Sequence, residues 1–359
     1  MSDTQWETLS NQTVAVAGVL YFLALLVHLA EWAALRQPAA TRELVAAGAG
    51  APEAEQAAVV PAEGESHRVA FLGRLGFLLT CLACVAHLVS LVGRGMAADP
   101  NRVPWGNMYE FTLSGTFVVT LLYVVLYRRF NLAWMGPLVV CFVVSTLMVA
   151  VIWLHDSVAP LTEALNSPWL VIHVVSAVIA TGAFTIGGIA SIMFLVRARA
   201  DRKAAAAGRE VSGWLARVPQ PDALDRLAYR VHAFAFPVWT FAVLITGPIW
   251  AHEAWSRYWN WDPKEVWAFI TWVVYAGYLH ARATAGWKGR RAAMLALVGL
   301  ATLWFNFIGI NYFSTTSQHS YAAERIVDST VGSTVDSTVD STVDSSVDSS
   351  TDVGTADPR

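Results

Sequence analysis

The sequence predicts an all-α polytopic membrane protein with about eight transmembrane helices and both termini extracytoplasmic. Three observations predict it. Apolar residues make up 55% and charged residues 14%, where a soluble domain averages about 25% charged; mean hydropathy is +0.46. Eight apolar runs are close to the roughly 20 residues needed to span a bilayer. Lys and Arg alternate between loops, with seventeen on one side of the bundle and six on the other. The richer side is taken as cytoplasmic. The net charge of -3 averages over this asymmetry and says little about partners.

The runs are taken in order. The first, about 14–35, lacks a basic start and is long enough to span, so it reads as a helix rather than a cleavable leader. The segment 36–70 is rich in Ala, Glu and Pro and reads as a cytoplasmic linker, which sets 1–70 apart from a core at 71–321. The core holds spans near 71–93, 109–127, 131–153, 169–196, 232–250, 264–282 and 292–313; the third is the shortest. Loop 197–230 is basic and suggests a short surface helix near Pro221–Tyr229. From about Asp328 a Ser-Thr-Val-Asp repeat runs through Asp352. These are poor helix formers with no aromatic residue to bury, so 322–359 reads as a disordered, outward-facing tail.

The most informative segment is Trp250–Trp267, where five of the chain's sixteen tryptophans fall within eighteen positions. Interfacial aromatic belts are spread over several helix ends, whereas this cluster sits in one loop with Asp262, Lys264 and Glu265. Trp and Tyr offer π faces and edge donors, which suits a flat amphipathic ligand. Pro263 and Glu265 suit the first turn of the seventh span.

Trp255-Ser-Arg-Tyr-Trp259-Asn-Trp261-Asp262-Pro263-Lys264-Glu265 resembles the WWD signature of haem-handling proteins. Pro104-Trp-Gly-Asn-Met-Tyr-Glu110, Leu279-His280-Ala-Arg282, Gly286-Trp287 and His319-Ser-Tyr321 resemble further blocks of the CcsA/ResC branch of system II cytochrome c biogenesis, often labelled CcsB in actinobacteria. The likeness covers roughly 70–321. Two positions depart from the family pattern, His252 where Asn is expected and Ser256 where Gly is usual. Both bear on the geometry of the loop.

The resemblance implies haem b as cargo, held outside by His173 and His319 while the Trp255, Trp259 and Trp261 loop contacts the macrocycle. Arg257 and Lys264 would face propionates, since basic side chains bind carboxylates well. His173 lies about 6 Å into the fifth span. His280 lies about 22 Å down the seventh, toward the cytoplasmic side. There the resemblance implies a second, membrane-embedded haem; His28 and His232 lie at comparable depths but match no family motif, so its other ligand is expected from a CcsB/ResB-type membrane subunit. The remaining implied partners are apocytochrome c, a thiol-reducing thioredoxin-like protein and membrane lipid in the cell membrane; no nucleic-acid partner is expected. The implied activity is that of a subunit of a holocytochrome c synthase, presenting haem for thioether attachment by proximity and orientation. No general acid or base is assigned.

Alternatives are a CcmC-like haem exporter, a membrane di-haem electron carrier, and a thiol carrier using Cys81 and Cys84. The two cysteines sit three apart inside an apolar run with no basic residue to stabilise a thiolate, which counts against the last.

Overall fold

In this computed structural model the chain is described over residues 1–35, 63–159, 165–314 and 317. The linker, the repeat tail and His319 lie outside the described residues. Among the described residues everything regular is helical: α1 (Asp3–Ala34), α2 (Glu63–Met96), α3 (Met108–Leu126), α4 (Gly136–Val149), α5 (Pro168–Ala206), α6 (Pro221–Thr240), α7 (Gly247–Trp255), α8 (Pro263–Ala283) and α9 (Arg290–Trp304), with single helical turns at Leu132–Met135, Trp214–Arg217 and Ile310–Phe313. Among the described residues seven helical segments are long and apolar enough to cross a bilayer, α6 and α7 counting as one. The remaining one of the eight expected spans, the seventh in order, forms as α8, with 21 residues and a length of about 31 Å. Lys264 and Glu265 in its first turn, and His280 and Arg282 in its last, make it less apolar than the seven.

Local chemistry sets the helix starts. Ser2 and Gln5 form a capping box on α1. The Asn107 carboxamide accepts from Glu110 N at 2.9 Å to open α3. Ser167 caps α5 through Trp169 N, with Pro168 at the first position. Asp262 and Glu265 form the capping box of α8, with Pro263 just inside it. Each device satisfies orphan N–H groups that would otherwise face the membrane boundary unpaired.

One expectation is corrected. Pro221–Tyr229 is not a separate surface helix but the start of α6, continuous with the sixth span. Leu224, Leu227 and Ala228 are buried there, because α5 and α6 pack along one another beyond the apolar stretch. Arg197 fixes this end, donating to Leu215 O at 2.6 Å and pairing with Asp201 at 2.8 Å.

The spans are not uniform α-helices. π turns occupy Ala150–Leu154, Phe241–Thr246 and Phe305–Gly309. The second precedes Pro248, whose missing N–H and ring clash with residue 244 prevent a regular i→i−4 ladder. Thr246 Oγ1 donates to Ala242 O at 3.1 Å within this turn.

One apolar core joins α1 to the other helices, through Ala17 and Tyr21 of α1, Tyr123 of α3, Phe184 of α5 and Tyr275 of α8. Buried in it is His232, boxed by Phe184, Tyr275 and Tyr278. A Cβ at Gly187 would lie 2.4 Å from its Cε1. Because the rings leave the imidazole no retreat, Gly187→Ala is expected to cost about 1–3 kcal/mol, read by unfolding in detergent micelles. A cost within about 0.5 kcal/mol, the range of surface substitutions, would show that the box yields.

Candidate functional site at the aromatic end

At the end of the bundle carrying the Trp-rich loop, a second apolar cluster groups Trp105, Leu165, Leu170, Val174 and Trp250. Beside it a cavity of about 200 Å³ opens between α3, α5, the α6–α7 bend, α8 and α9. One wall is a face of α3: Met108, Phe111, Thr112, Gly115, Thr116 and Val119. Others are His173 and Thr181 of α5, Trp239, Val243 and Gly247 of the bend, and Trp304, Asn306 and Phe307. Tyr258, Trp259, Lys264 and Glu265 border it at the loop.

His173 is the titratable group best placed in this chamber. Its Nδ1 lies 2.9 Å from Ala242 O. A carbonyl only accepts, so Nδ1 carries the proton and Nε2 of the neutral ring carries the lone pair. The acceptor belongs to the π turn, so the bend that Pro248 imposes also orients the imidazole. Trp250 stacks on the ring at 5.9 Å and 12°. Gly247 permits the approach: a Cβ there would lie 3.1 Å from His173 Cε1.

Asn306 comes from another π turn and is buried, and its Oδ1 has no hydrogen-bond partner. A buried carboxamide left unpaired in a cavity wall costs about 1–3 kcal/mol, which a polar ligand edge would recover.

The structure separates the other expected residues. His173, Trp259, Lys264 and Glu265 line the cavity. Trp255 packs behind it, edge-on to Trp250 at 4.8 Å. Glu265 Oε2 accepts from Asn260 N at 2.9 Å and Asp262 N at 3.1 Å, so its carboxylate shapes the loop. Lys264 Nζ donates to Asn311 Oδ1 at 2.9 Å. Asp262 is buried; its Oδ1 accepts from Lys264 N and from Ser317 Oγ, both at 2.8 Å. Arg257 bonds Asn260 Oδ1 at 2.9 Å on the exposed rim, and Trp261 is 73% exposed. His252 stacks on Tyr258 at 4.2 Å. His280 is exposed in the last turn of α8, away from the cavity. Ser256 has φ 58°, the left-handed region that favours Gly, so the backbone here is one that glycine would adopt more readily than the serine present.

Sequence reasoning missed the α3 wall, Thr181, Asn306 and the role of Gly247. Met108, Phe111, Thr112, Gly115, Thr116 and Val119 recur at spacings of three and four, a signal of one helix face. Nothing in that spacing says whether the face meets a cavity, a helix or lipid.

Fold and chamber together define a multi-pass helical membrane protein with an aromatic-lined cavity at one end. The chain belongs to the cytochrome c assembly protein family, whose model matches residues 105–317, and within it to the CcsA-type cytochrome c biogenesis proteins. It is 35% identical to the CcsA of Guillardia theta over 265 residues, covering 69% of this chain and 85% of that protein. Over 287 residues it is 31% identical to the CcsA of Porphyra purpurea, covering 71% and 89%. The solved structure of the cytochrome c haem lyase CcmF superposes with a TM-score of 0.57 at 14% identity, over 86% of this chain and 47% of that one. That likeness shows a shared fold, and this chain spans about half the length of the lyase. Family membership places the chain in cytochrome c biogenesis.

Proposed function

We propose that this chain holds haem b at the aromatic end of the bundle and presents it to apocytochrome c for covalent attachment, as the CcsA/ResC subunit of a system II synthase in the plasma membrane. The observation that carries the reading is the His173 pair: Nδ1–H held by Ala242 O, with the ring on the wall of an aromatic cavity. A histidine whose second nitrogen is fixed by a carbonyl is the usual form of a metal ligand. His173 and His319 would supply two imidazoles, which hold the iron without an open position. The aromatic end faces outward, with both termini on the same side, as the loop charges require.

The cavity is smaller than the roughly 300–1,000 Å³ of typical ligand pockets. A macrocycle would therefore stay partly exposed at the mouth, under Trp259 and Trp261, where an incoming Cys-x-x-Cys-His segment can reach its vinyl groups. Each thioether forms when a cysteine thiol adds across a vinyl: the sulfur bonds one carbon and the thiol hydrogen ends on the other. No oxidant is consumed, but both cysteines must be reduced, hence the thioredoxin-like partner. His280 faces away from the cavity and would serve a second haem shared with a CcsB/ResB-type subunit.

The test is to fill the chamber. Gly115 lines the cavity, and a Cβ there meets nothing within 4 Å. Gly115→Trp is expected to lower haemin affinity of the purified chain at least about ten-fold, roughly 1.4 kcal/mol, with the unfolding midpoint unchanged and maturation of a co-expressed cytochrome c reduced. Unchanged haemin binding with the chamber filled would overturn the reading.

A further inference from the structure

Several polar side chains of the chamber are committed to the protein itself. Thr112, Thr116 and Thr185 donate to carbonyls of their own helices at 2.7 to 2.8 Å. At the rim, Lys264 Nζ donates to Asn311 Oδ1, and the Glu265 carboxylate accepts from two loop N–H groups. Asn306 differs. Among the described residues that line the cavity, it is the one with a buried side-chain atom lacking a hydrogen-bond partner, and it is 7% exposed. It lies five residues before Asn311 in the last span, so about 7 Å further in than the Lys264 contact. Leu303 and Trp304, which precede it, line the cavity as well. A carboxamide presents a donor and an acceptor side by side. A protonated carboxylic acid presents the matching acceptor and O–H donor, so the two pair through parallel hydrogen bonds. Burial in low dielectric favours that neutral acid over a carboxylate. A vinyl group offers neither, and would leave the carboxamide as unpaired as before.

We infer that Asn306 binds a carboxylic acid arm of the macrocycle and so sets its orientation, with the acid edge inward and the vinyl edge at the mouth. This rests on the reading of the chamber as a haem site. The two propionates of haem share one edge of the ring, and the vinyls lie away from it. Turning the acids toward Asn306 leaves the vinyls beneath Trp259, which borders the cavity at the loop and where the thiols arrive. The inverted placement would set the acids against Lys264 at the rim, bury the reacting carbons, and leave the Asn306 oxygen unpaired. The orphaned carboxamide is then a feature of the empty chamber that the ligand itself satisfies.

The experiment compares haemin with its dimethyl ester, which keeps the iron and the vinyls but has no acid O–H. Affinities come from absorption titration of the full chain in micelles. Wild type is expected to prefer haemin by about ten-fold, as for a hydrogen bond whose protein partner is otherwise stranded. In Asn306→Leu, an apolar side chain of similar size, the preference should vanish while the ester still binds. The unliganded variant should also unfold at a higher temperature than wild type, because the orphaned buried group is gone. Asn306→Ser, which keeps a hydroxyl, should retain part of the preference. A preference abolished in Lys264→Met but kept in Asn306→Leu would put the acids at the rim and overturn the inference. Equal affinity of wild type for the two ligands would overturn it too. So would equal weakening of both in Asn306→Leu, the result expected of a packing residue or of one that holds a water. Wild type that binds neither ligand would overturn the haem reading, and this inference with it.

Discussion

Glu110→Ala is expected to destabilise the protein by about 3 kcal/mol, the low end of the range for breaking a buried ion pair. Glu110 is fully buried and joins two guanidinium groups: Arg94 Nε at 3.0 Å and Arg102 Nη1 at 2.8 Å. It also accepts from Gly106 N at 2.6 Å. Truncation would strand Arg94, itself buried, with Glu7 at 3.4 Å and the Asp156 carbonyl as remaining partners. Those two keep the cost from reaching the top of the range. The clasp ties α1, α2 and α3 to loops at 102–106 and 156–159, beside the Trp105 cluster that backs the cavity. Gly95 lets the 102–106 loop approach: a Cβ there would lie 2.4 Å from Arg102 O. Reversible unfolding in micelles checks the value, and a loss within about 0.5 kcal/mol would mean the pair contributes no more than a surface contact. Glu110→Gln, which keeps the acceptor but not the charge, should fall in between.

His173→Ala is expected to lower haemin affinity at least about 100-fold, because even the partners of metal ligands typically change affinity by 10- to 100-fold. The fold should survive. Ala242 O, which loses the imidazole donor, still accepts from Thr246 Oγ1 at 3.1 Å, so no buried carbonyl is left unpaired. A spectrum that stays low-spin in His173→Ala, with wild-type affinity, would remove His173 from the iron. Loss of haem binding together with a collapse in stability would instead assign the residue to packing.

Much of the architecture was legible in the chain. Apolar length located the spans. Asp262, Pro263 and Glu265 announced the start of α8, where the capping box is found. Depth in the fifth span and the family resemblance point to His173, whereas its carbonyl partner, Ala242 O, is 69 residues away and visible only in the fold. Glu110 stands in the sequence only as part of a block, and its burial between two arginines depends on the end of α2, which brings Arg94, and on the loop that brings Arg102. Asp262 was grouped with the tryptophans, yet its side chain meets Ser317, 55 residues away.

The sequence by itself determined which segments are helical, because a chain in hydrocarbon has few ways to pair its backbone groups and apolar length reports that constraint directly. Tertiary structure alone decided which face of each helix meets lipid, helix or cavity. Hydropathy is blind to that choice, since lipid tails are as apolar as a protein core. Leu82 and Val85 are exposed on the outside of α2, while Thr116 and Thr120 of α3 are buried, the reverse of a soluble bundle. The chamber, its π-turn carbonyl and the Asp262–Ser317 contact arise only when helices distant in sequence are packed together.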